Sequence, residues 1–458
     1  MTPRELVPRE REIAVIGLAR SGRAVVMLLR KHGYTVYASD VATSPETGKV
    51  AEELRGLGTT VDVGRHHVER IARAGLVVTS PGVPPSARPL EFARENNVPI
   101  ASEIEVALNF LEGPRIIAVT GTNGKTTTTA LIAHLLRGVD IDAAEAGNIG
   151  TPLSEIALRE HQPKWISLEM SSFQLHDTPS LKPAVGVLTN LSPDHLDRYS
   201  SVEDYFADKA RLFANANAES VWVVNKDDKA VTRMVRDVAG QKDWFSVSKK
   251  GQASLDSRTG QLVVLGAPLL ARQDLPLLGQ HNVGNALAAS LAVMAADRSH
   301  QTQKARKGIA KALTTFRSLP HRLELVGEFG GVQWINDSKA TNVSSTAVAI
   351  DGMERPTVLL LGGRHKGETY ASLADAVRRK VKRVIAYGEA ATIIATDLRP
   401  VVDVVRLGDD FEEVMRAARA AASVGEAVLL SPACSSYDMF SNYEERGERF
   451  RALAAKEA

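Results

Sequence analysis

The sequence predicts an α/β protein of three domains, each built on a parallel sheet. Short apolar runs alternate with helical patterns along the whole chain, which is the grammar of strand–helix–strand units. Two compact punctuation points, Glu112-Gly113-Pro114 and Arg317-Ser318-Leu319-Pro320, interrupt that alternation. The 458 residues correspond to about three domains at ~150 residues each. The expected domains are 1–112, 113–317 and 318–458.

In the first domain the run Ile13–Gly17 reads as a buried strand and Ser21–His32 as a helix ended by Gly33. Tyr34–Asp40 and Leu76–Ser80 read as strands, the latter turned by Pro81-Gly82, and Phe92–Asn97 and Ile104–Leu111 as helices. The first eleven residues are expected to be a frayed tail. The second domain opens with the strand Arg115–Thr120, a Gly-rich turn and the helix Thr127–Leu136. Strands follow at Trp165–Glu169, Ala184–Thr189 and Val221–Val224, then a helical stretch at His281–Ala296. In the third domain Thr357–Leu361, Arg383–Tyr387 and Ala427–Leu430 are strand-like, and Phe411–Ala422 is an alanine-rich helix.

Apolar residues make up 44% and charged residues 24%, ordinary globular usage that excludes a disordered, collagen-like or coiled-coil chain. Lys and Arg total 56 against 54 Asp and Glu, a net charge of +2. Bulk nucleic acid as the main partner needs a basic excess and is not expected. Cys434 is the one cysteine, so neither an internal disulfide nor a multi-Cys zinc site is available, and it reads as a small packed side chain. The charged N-terminus lacks the apolar core of a signal peptide. Runs such as Val358–Leu361 fall far short of the ~20 residues of a membrane span. The expectation is a cytoplasmic protein with no membrane contact.

The most informative motif is Thr120-Gly121-Thr122-Asn123-Gly124-Lys125-Thr126-Thr127, between a strand and a helix. Backbone N–H groups and the helix N-terminus form an anion cradle there. Lys125 can reach β- and γ-phosphates and Thr126 can ligate Mg2+. The full P-loop pattern would place a Gly where this chain has Val119, so the motif is a variant. A second loop, Gly17-Leu18-Ala19-Arg20-Ser21-Gly22, follows the first strand, and Asp40 ends the second. This is a Rossmann-like arrangement with Ala19 at the glycine that would admit a dinucleotide pyrophosphate. A different nucleotide, held further out, or a tight turn without ligand, both fit.

Glu169 ends a buried strand beside the phosphate loop, where a carboxylate can hold Mg2+. Asp194, His195 and Asp197 follow the next strand. The acids can equally be first-turn helix residues, whereas His195 paired with Glu169 favours a metal. Lys209, in Ala207-Asp-Lys-Ala-Arg211, has by pattern alone the look of a solvated charge.

Together, Thr120–Thr127, Glu169-Met-Ser-Ser-Phe-Gln174, Asp194-His-Leu-Asp-Arg-Tyr199, Gly279-Gln-His-Asn282 with Asn285, Asn336-Asp-Ser-Lys-Ala-Thr341 and Ser431-Pro-Ala-Cys434 resemble the Mur ligases. These are the ATP-dependent amino-acid ligases of bacterial peptidoglycan synthesis. Gly362-Gly-Arg-His-Lys366-Gly, and the lack of an Asp-Asn-Pro-Arg run, point within the family to its D-glutamate-adding branch. The resemblance implies a first domain that binds the UDP end of UDP-N-acetylmuramoyl-L-alanine through Gly17, Leu18, Ala19, Arg20, Ser21, Gly22, Asp40, Ser80 and Gly82. It implies a central P-loop ATPase-type domain in which Gly121–Thr127 bind ATP and Lys125 contacts its phosphates. Thr126, Glu169, His195 and a carbamylated Lys209 would hold Mg2+, and Asn148 would stand near the reacting carboxylate. Asn285, Arg322 and Asp337 would contact ATP. The Rossmann-like third domain would bind D-glutamate through Thr341, Lys366, Ser436 and Tyr443, with Lys339 near the phosphate. Tyr443 and Tyr437 stand where the family often has Phe and Leu.

The implied reaction forms an acyl phosphate, then a tetrahedral intermediate, in a monomer whose third domain swings about Ser318–Pro320. A Mur-type ligase for another amino acid, a folylpolyglutamate synthase and a P-loop nucleotide switch are the alternatives. A folate enzyme would begin nearer the P-loop, and a switch has no use for Lys339, Thr341 and Lys366. A Rossmann oxidoreductase leaves Lys125-Thr126 unexplained.

Overall fold

The computed structural model describes residues 10–456 apart from 149 and 195–197. Among these residues the chain forms three sheets and divides into two compact units. One unit runs up to Asp274 and adds Gly284–Thr314; the other is Leu275–Val283 with Thr315 onward.

The first unit holds two sheets. β1 (Ile13–Ile16), β2 (Val36–Asp40), β3 (Thr60–Val63), β4 (Leu76–Thr79) and β5 (Ile100–Ser102) are all parallel, in the order β3-β2-β1-β4-β5. Ile13 and Val15 enter one apolar cluster, Ala14 and Ile16 another. A sheet buried on both faces needs an unbroken apolar run and not an alternating one. The second sheet contains β6 (Arg115–Thr120), β7 (Ala143–Gly147), β8 (Trp165–Glu169), β9 (Val185–Leu188), β10 (Val221–Asn225) and β11 (Gln241–Ser246). It continues through β12 (Ala253–Asp256), β13 (Gln261–Val264) and β14 (Ala267–Ala271), in the order β14-β13-β12-β11-β10-β9-β6-β8-β7. The pairings from β7 to β12 are parallel and the last two are antiparallel. The chain runs to β7 and β8 on one side of β6, then to β9 on the other. This reversal opens a crevice at the carboxyl ends of these strands, the usual ligand position in such sheets.

The second unit holds β15 (Glu324–Phe329), β16 (Val332–Asn336), β17 (Thr357–Gly362), β18 (Val381–Tyr387), β19 (Asp403–Arg406) and β20 (Ala427–Leu430), in the order β15-β16-β20-β17-β18-β19. Only β15 pairs antiparallel. Leu359 and Leu361 pack on one face of β17, Val358 and Leu360 on the other.

Most expected elements lie within a residue or two of their observed bounds. The expected helix Phe92–Asn97 is instead Arg88–Glu95, which starts with Pro89 in its first turn. Proline there is a start signal because its missing N–H is not needed. The strands β3, β5, β7, β11, β15, β16 and β19 and the meander β12–β14 were not anticipated. The expected tail falls almost wholly outside the described residues. Among those described, no helix is long and apolar enough to cross a membrane.

Candidate active site

β6 runs through Gly121–Gly124 into helix Lys125–Arg137. Gly124 is the N-cap at φ +80°, and no side chain caps the helix there. Its first-turn N–H groups and dipole favour an anion. A Cβ at Gly124 would stand 2.5 Å from Asn285 Oδ1, and one at Gly121 2.0 Å from Thr189 Oγ1. The glycines therefore permit close packing as well as the turn, and Asn285 lies against the phosphate loop. Asn190, after β9, braces the loop: its side chain accepts from Asn123 N at 2.8 Å and donates to Asn123 O at 2.9 Å. Lys125 Nζ reaches back to Thr122 O at 2.6 Å, Thr126 is buried, and Thr127 is half-buried.

Glu169 ends β8 and is 1% exposed. Its Oε1 accepts from Asn148 Nδ2 at 3.1 Å, and its buried Oε2 has no hydrogen-bond partner among the described residues. Lys209, on helix Val202–Ala210, is also 1% exposed and donates from Nζ to Thr120 Oγ1 at 3.2 Å. Burial, then the nearby Lys125 charge, pushes its ammonium well below the usual lysine range. Thus the phosphate loop, Glu169, Asn148 and Lys209 gather at the ends of β6, β7 and β8. His195 and Asp197 lie outside the described residues.

The orphaned Glu169 oxygen and the Thr126 hydroxyl are hard oxygen donors, the kind Mg2+ takes. No group of three His, Cys, Asp or Glu side chains forms a metal cage among the described residues. Mg2+ commonly uses one or two carboxylates and completes its octahedron with water and phosphate.

At the N-terminal loop, Gly22 packs so close to the strand end that a Cβ would sit 1.8 Å from Gly17 O. Asp40 accepts from Leu18 N at 2.7 Å, and Ser80 Oγ donates to Gly17 O at 3.0 Å. Helix Arg20–Lys31 starts at Ala19 without a side-chain cap or a first-turn acid, again a suitable anion site. Ser21 is half-buried there, and Gly82 beyond β4 is exposed. The Arg20 guanidinium turns to Glu155, as described below. Beyond Ser80 a cavity of about 400 Å³ runs past Phe173, His176, Tyr199 and Asp208.

In the second unit three loops converge at the carboxyl ends of the adjacent strands β16, β20 and β17. They carry Asp337, Lys339 and Thr341; Ser436; and Lys366. Lys339 Nζ donates to Tyr443 Oη at 2.6 Å and lies 3.9 Å from that ring's centre. Asp337 accepts from Ser431 Oγ at 2.9 Å and Leu323 N at 3.1 Å, and burial pushes its carboxyl up to about 7. Arg322 lies close enough to oppose that rise. Ser436 is buried, Thr341 half-buried and Lys366 exposed. Cys434 is buried, 2.9 Å from Tyr370 Oη, and burial pushes its thiol up to about 11, so it is inert packing.

Sequence reasoning missed several supporting residues. Fully buried Arg446 donates to Ser338 O, Ser338 Oγ and Cys434 O, joining two of the converging loops. Asp208 accepts from His176, Arg211 and Tyr199, fixing the helix that carries Lys209. Of the supporting residues only Asn190, a polar residue just after β9, had a local signal.

Residues 119–293 match the Mur ligase middle domain, 321–434 the Mur ligase glutamate ligase domain, and 11–102 the N-terminal domain of MurD-like Mur ligases. A protein of Desulfatibacillum aliphaticivorans named UDP-N-acetylmuramoylalanine--D-glutamate ligase is 39% identical over 444 residues, 96% of this chain and 97% of its own length. The chain belongs to the Mur ligase family. A Salinibacter ruber relative of the same name is 38% identical and covers 99% of both chains. Among solved Mur ligases, the alanine ligase MurC of Thermotoga maritima superposes with a TM-score of 0.62 at 20% identity, covering 98% of this chain and 100% of that one. MurF of Acinetobacter baumannii gives 0.59 at 15% identity, covering 96% and 92%. These structures share the three-domain α/β Mur ligase fold.

Proposed function

We infer that this chain is an ATP-dependent ligase that joins D-glutamate to the L-alanyl carboxylate of UDP-N-acetylmuramoyl-L-alanine, in peptidoglycan precursor synthesis. Within the molecule, one observation supports this most. A buried lysine and a buried glutamate with an unpartnered oxygen stand beside a phosphate loop.

A carboxylate does not acylate an amine at neutral pH, because its oxygen leaves poorly. The L-alanyl carboxylate takes the γ-phosphoryl group of ATP, and ADP leaves. The D-glutamate amine then displaces phosphate through a tetrahedral intermediate. Gly121–Thr127 would cradle the phosphates, and Lys125 would offset their charge. Thr126, Glu169, His195 and Lys209 would hold Mg2+, which when bound neutralises charge developing on the phosphoryl oxygens. Burial favours the neutral Lys209 amine, the form that adds CO2 to become a carbamate and a proton. Asn148, held by Glu169, would orient the carboxylate. Asn285, Arg322 and Asp337 would hold the rest of ATP. The UDP end would take the backbone N–H groups of the Gly17–Gly22 loop, with Asp40, Ser80 and Gly82, while the Arg20 side chain stays on Glu155 and Gly150. Thr341, Lys366, Ser436 and Tyr443 would receive D-glutamate, with Lys339 at the phosphate.

Lys209→Ala tests the arrangement. D-glutamate-dependent phosphate release should fall by roughly 10²-fold or more, the scale of a lost electrostatic group. Carbon-13 bicarbonate should label the parent and not the variant. An active Lys209→Ala protein contradicts the role.

A further inference from the structure

The loop Gly147–Thr151 carries Asn148, and helix Leu153–Ala157 follows it. Both belong to the second sheet's side of the first unit, yet the first sheet's side holds them. Arg20 and Lys31 are the first and last residues of one helix. Arg20 Nε and Nη2 donate to the two Glu155 carboxylate oxygens at 2.9 and 3.0 Å, and Nη1 donates to Gly150 O at 2.7 Å. Lys31 Nζ donates to Leu158 O, at the far end of helix Leu153–Ala157, at 3.0 Å. That helix has no side-chain cap of its own, and Glu103 accepts from Ser154 N at 2.5 Å in place of one.

The grip leads directly to the candidate site. Gly147 N donates to Thr151 O, which closes the loop. Asn148 donates from its backbone N to Glu169 O at 3.0 Å and from Nδ2 to Glu169 Oε1 at 3.1 Å. A path therefore runs from Arg20, through Gly150, Thr151 and Gly147, to Asn148 and Glu169. Arg20 begins the helix whose N-terminus faces the loop proposed for the diphosphate.

We propose that Arg20 is a positioning residue that ties the N-terminal anion loop to the Asn148 loop, so that seating the UDP-linked substrate fixes Asn148 against Glu169. The inference rests on the reading that Asn148 and Glu169 serve acyl activation. Arg20 is 59% and Glu155 28% exposed at the side chain. An ion pair so exposed adds little to folding stability, whereas a reacting group displaced by an ångström costs much in rate. The signature is thus a large change in turnover with little change in melting.

The test uses Arg20→Met, Arg20→Lys and Glu155→Gln in the full chain. Phosphate release is measured at saturating ATP, Mg2+ and D-glutamate with varied UDP-N-acetylmuramoyl-L-alanine. Hydrogen–deuterium exchange over 147–158 is followed with and without that substrate. Arg20→Met should lower kcat about tenfold or more with KM for the UDP-substrate nearly unchanged. Arg20→Lys, which can keep one of the two contacts, should recover part of the loss, and Glu155→Gln should be intermediate. Melting temperatures should stay together. The substrate should slow exchange over 147–158 in the parent and not in Arg20→Met. Unchanged kcat overturns the proposal, as does equal loss in the Met and Lys variants. A loss confined to KM also overturns it, since that would make Arg20 a direct diphosphate contact. A parent chain without D-glutamate-dependent turnover would overturn the ligase reading instead, and the exchange comparison would still decide the coupling.

Discussion

A buried carboxyl makes stability depend on pH, and Glu103 is a case away from the proposed ATP contacts. One oxygen holds Ser154 N–H, the other has no hydrogen-bond partner among the described residues, and burial pushes the carboxyl up to about 7 from an ordinary 4.5. Between those values the folded chain keeps a proton that the unfolded chain has lost. Stability present below pH 4.5 therefore drains as pH rises to about 7, by up to roughly 3 kcal/mol. Glu103→Gln should melt higher than the parent at pH 8 and alongside it near pH 4.5; a variant that melts lower at pH 8 contradicts the burial argument. The Tyr443 hydroxyl accepts from Lys339 at 2.6 Å, which ties it to the loop proposed for D-glutamate. In Tyr443→Phe, KM for D-glutamate should rise about fivefold, the worth of a hydrogen bond of ~1 kcal/mol. KM for ATP should hold, and an unchanged KM for D-glutamate would separate Tyr443 from that site. Such roles are poorly legible in sequence. Lys209 sits in a polar helical run, and only the family resemblance marked it; burial against Thr120 is a tertiary fact. The same holds for Arg446, whose guanidinium is enclosed by carbonyls of two distant loops. The turn Gly121–Gly124 was legible because its signal resides in consecutive residues between a strand and a helix.

At the scale of elements, the first helix depends on Gly22. Its missing side chain lets the helix approach Gly17 O, which a Cβ would meet at 1.8 Å. Gly22→Ala should cost about 2–3 kcal/mol by overpacking and backbone shift. Gly48, in helix Pro45–Gly56, has open space around it. Gly48→Ala should gain up to ~1 kcal/mol from helix propensity. Thermal melts of the two variants check both signs, and equal effects would remove the close-packing argument. The central parallel strands were legible because two buried faces demand runs such as Thr357–Leu361, whereas partly exposed parallel strands such as β3 and β19 carry no such run. The meander β12–β14 was not, since half-exposed edge strands mix polar and apolar residues. In β13, Leu262 and Val264 are buried while Gln261 and Val263 are only half-buried.

For the whole molecule, the residues proposed to act fall in both compact units. The phosphate loop, Glu169 and Lys209 belong to the first, while Lys339, Thr341, Lys366 and Ser436 belong to the second. This explains why fold class and reaction class could be read from ordered motifs, whereas Arg20's grip on the Asn148 loop could not. That contact joins Arg20 to Gly150 and Glu155, which no local pattern connects. It also explains why amino-acid choice is the decisive property. A nucleotide switch would hydrolyse ATP with the first unit's loop alone, but a ligase must couple turnover to what the second unit binds. The most direct measurement is phosphate release with ATP, Mg2+ and UDP-N-acetylmuramoyl-L-alanine, comparing D-glutamate with L-glutamate, L-alanine, L-lysine and meso-diaminopimelate. Release should require D-glutamate. Release with another of these amino acids would contradict the assignment of the second unit's loops, and release indifferent to all of them would contradict the ligase itself.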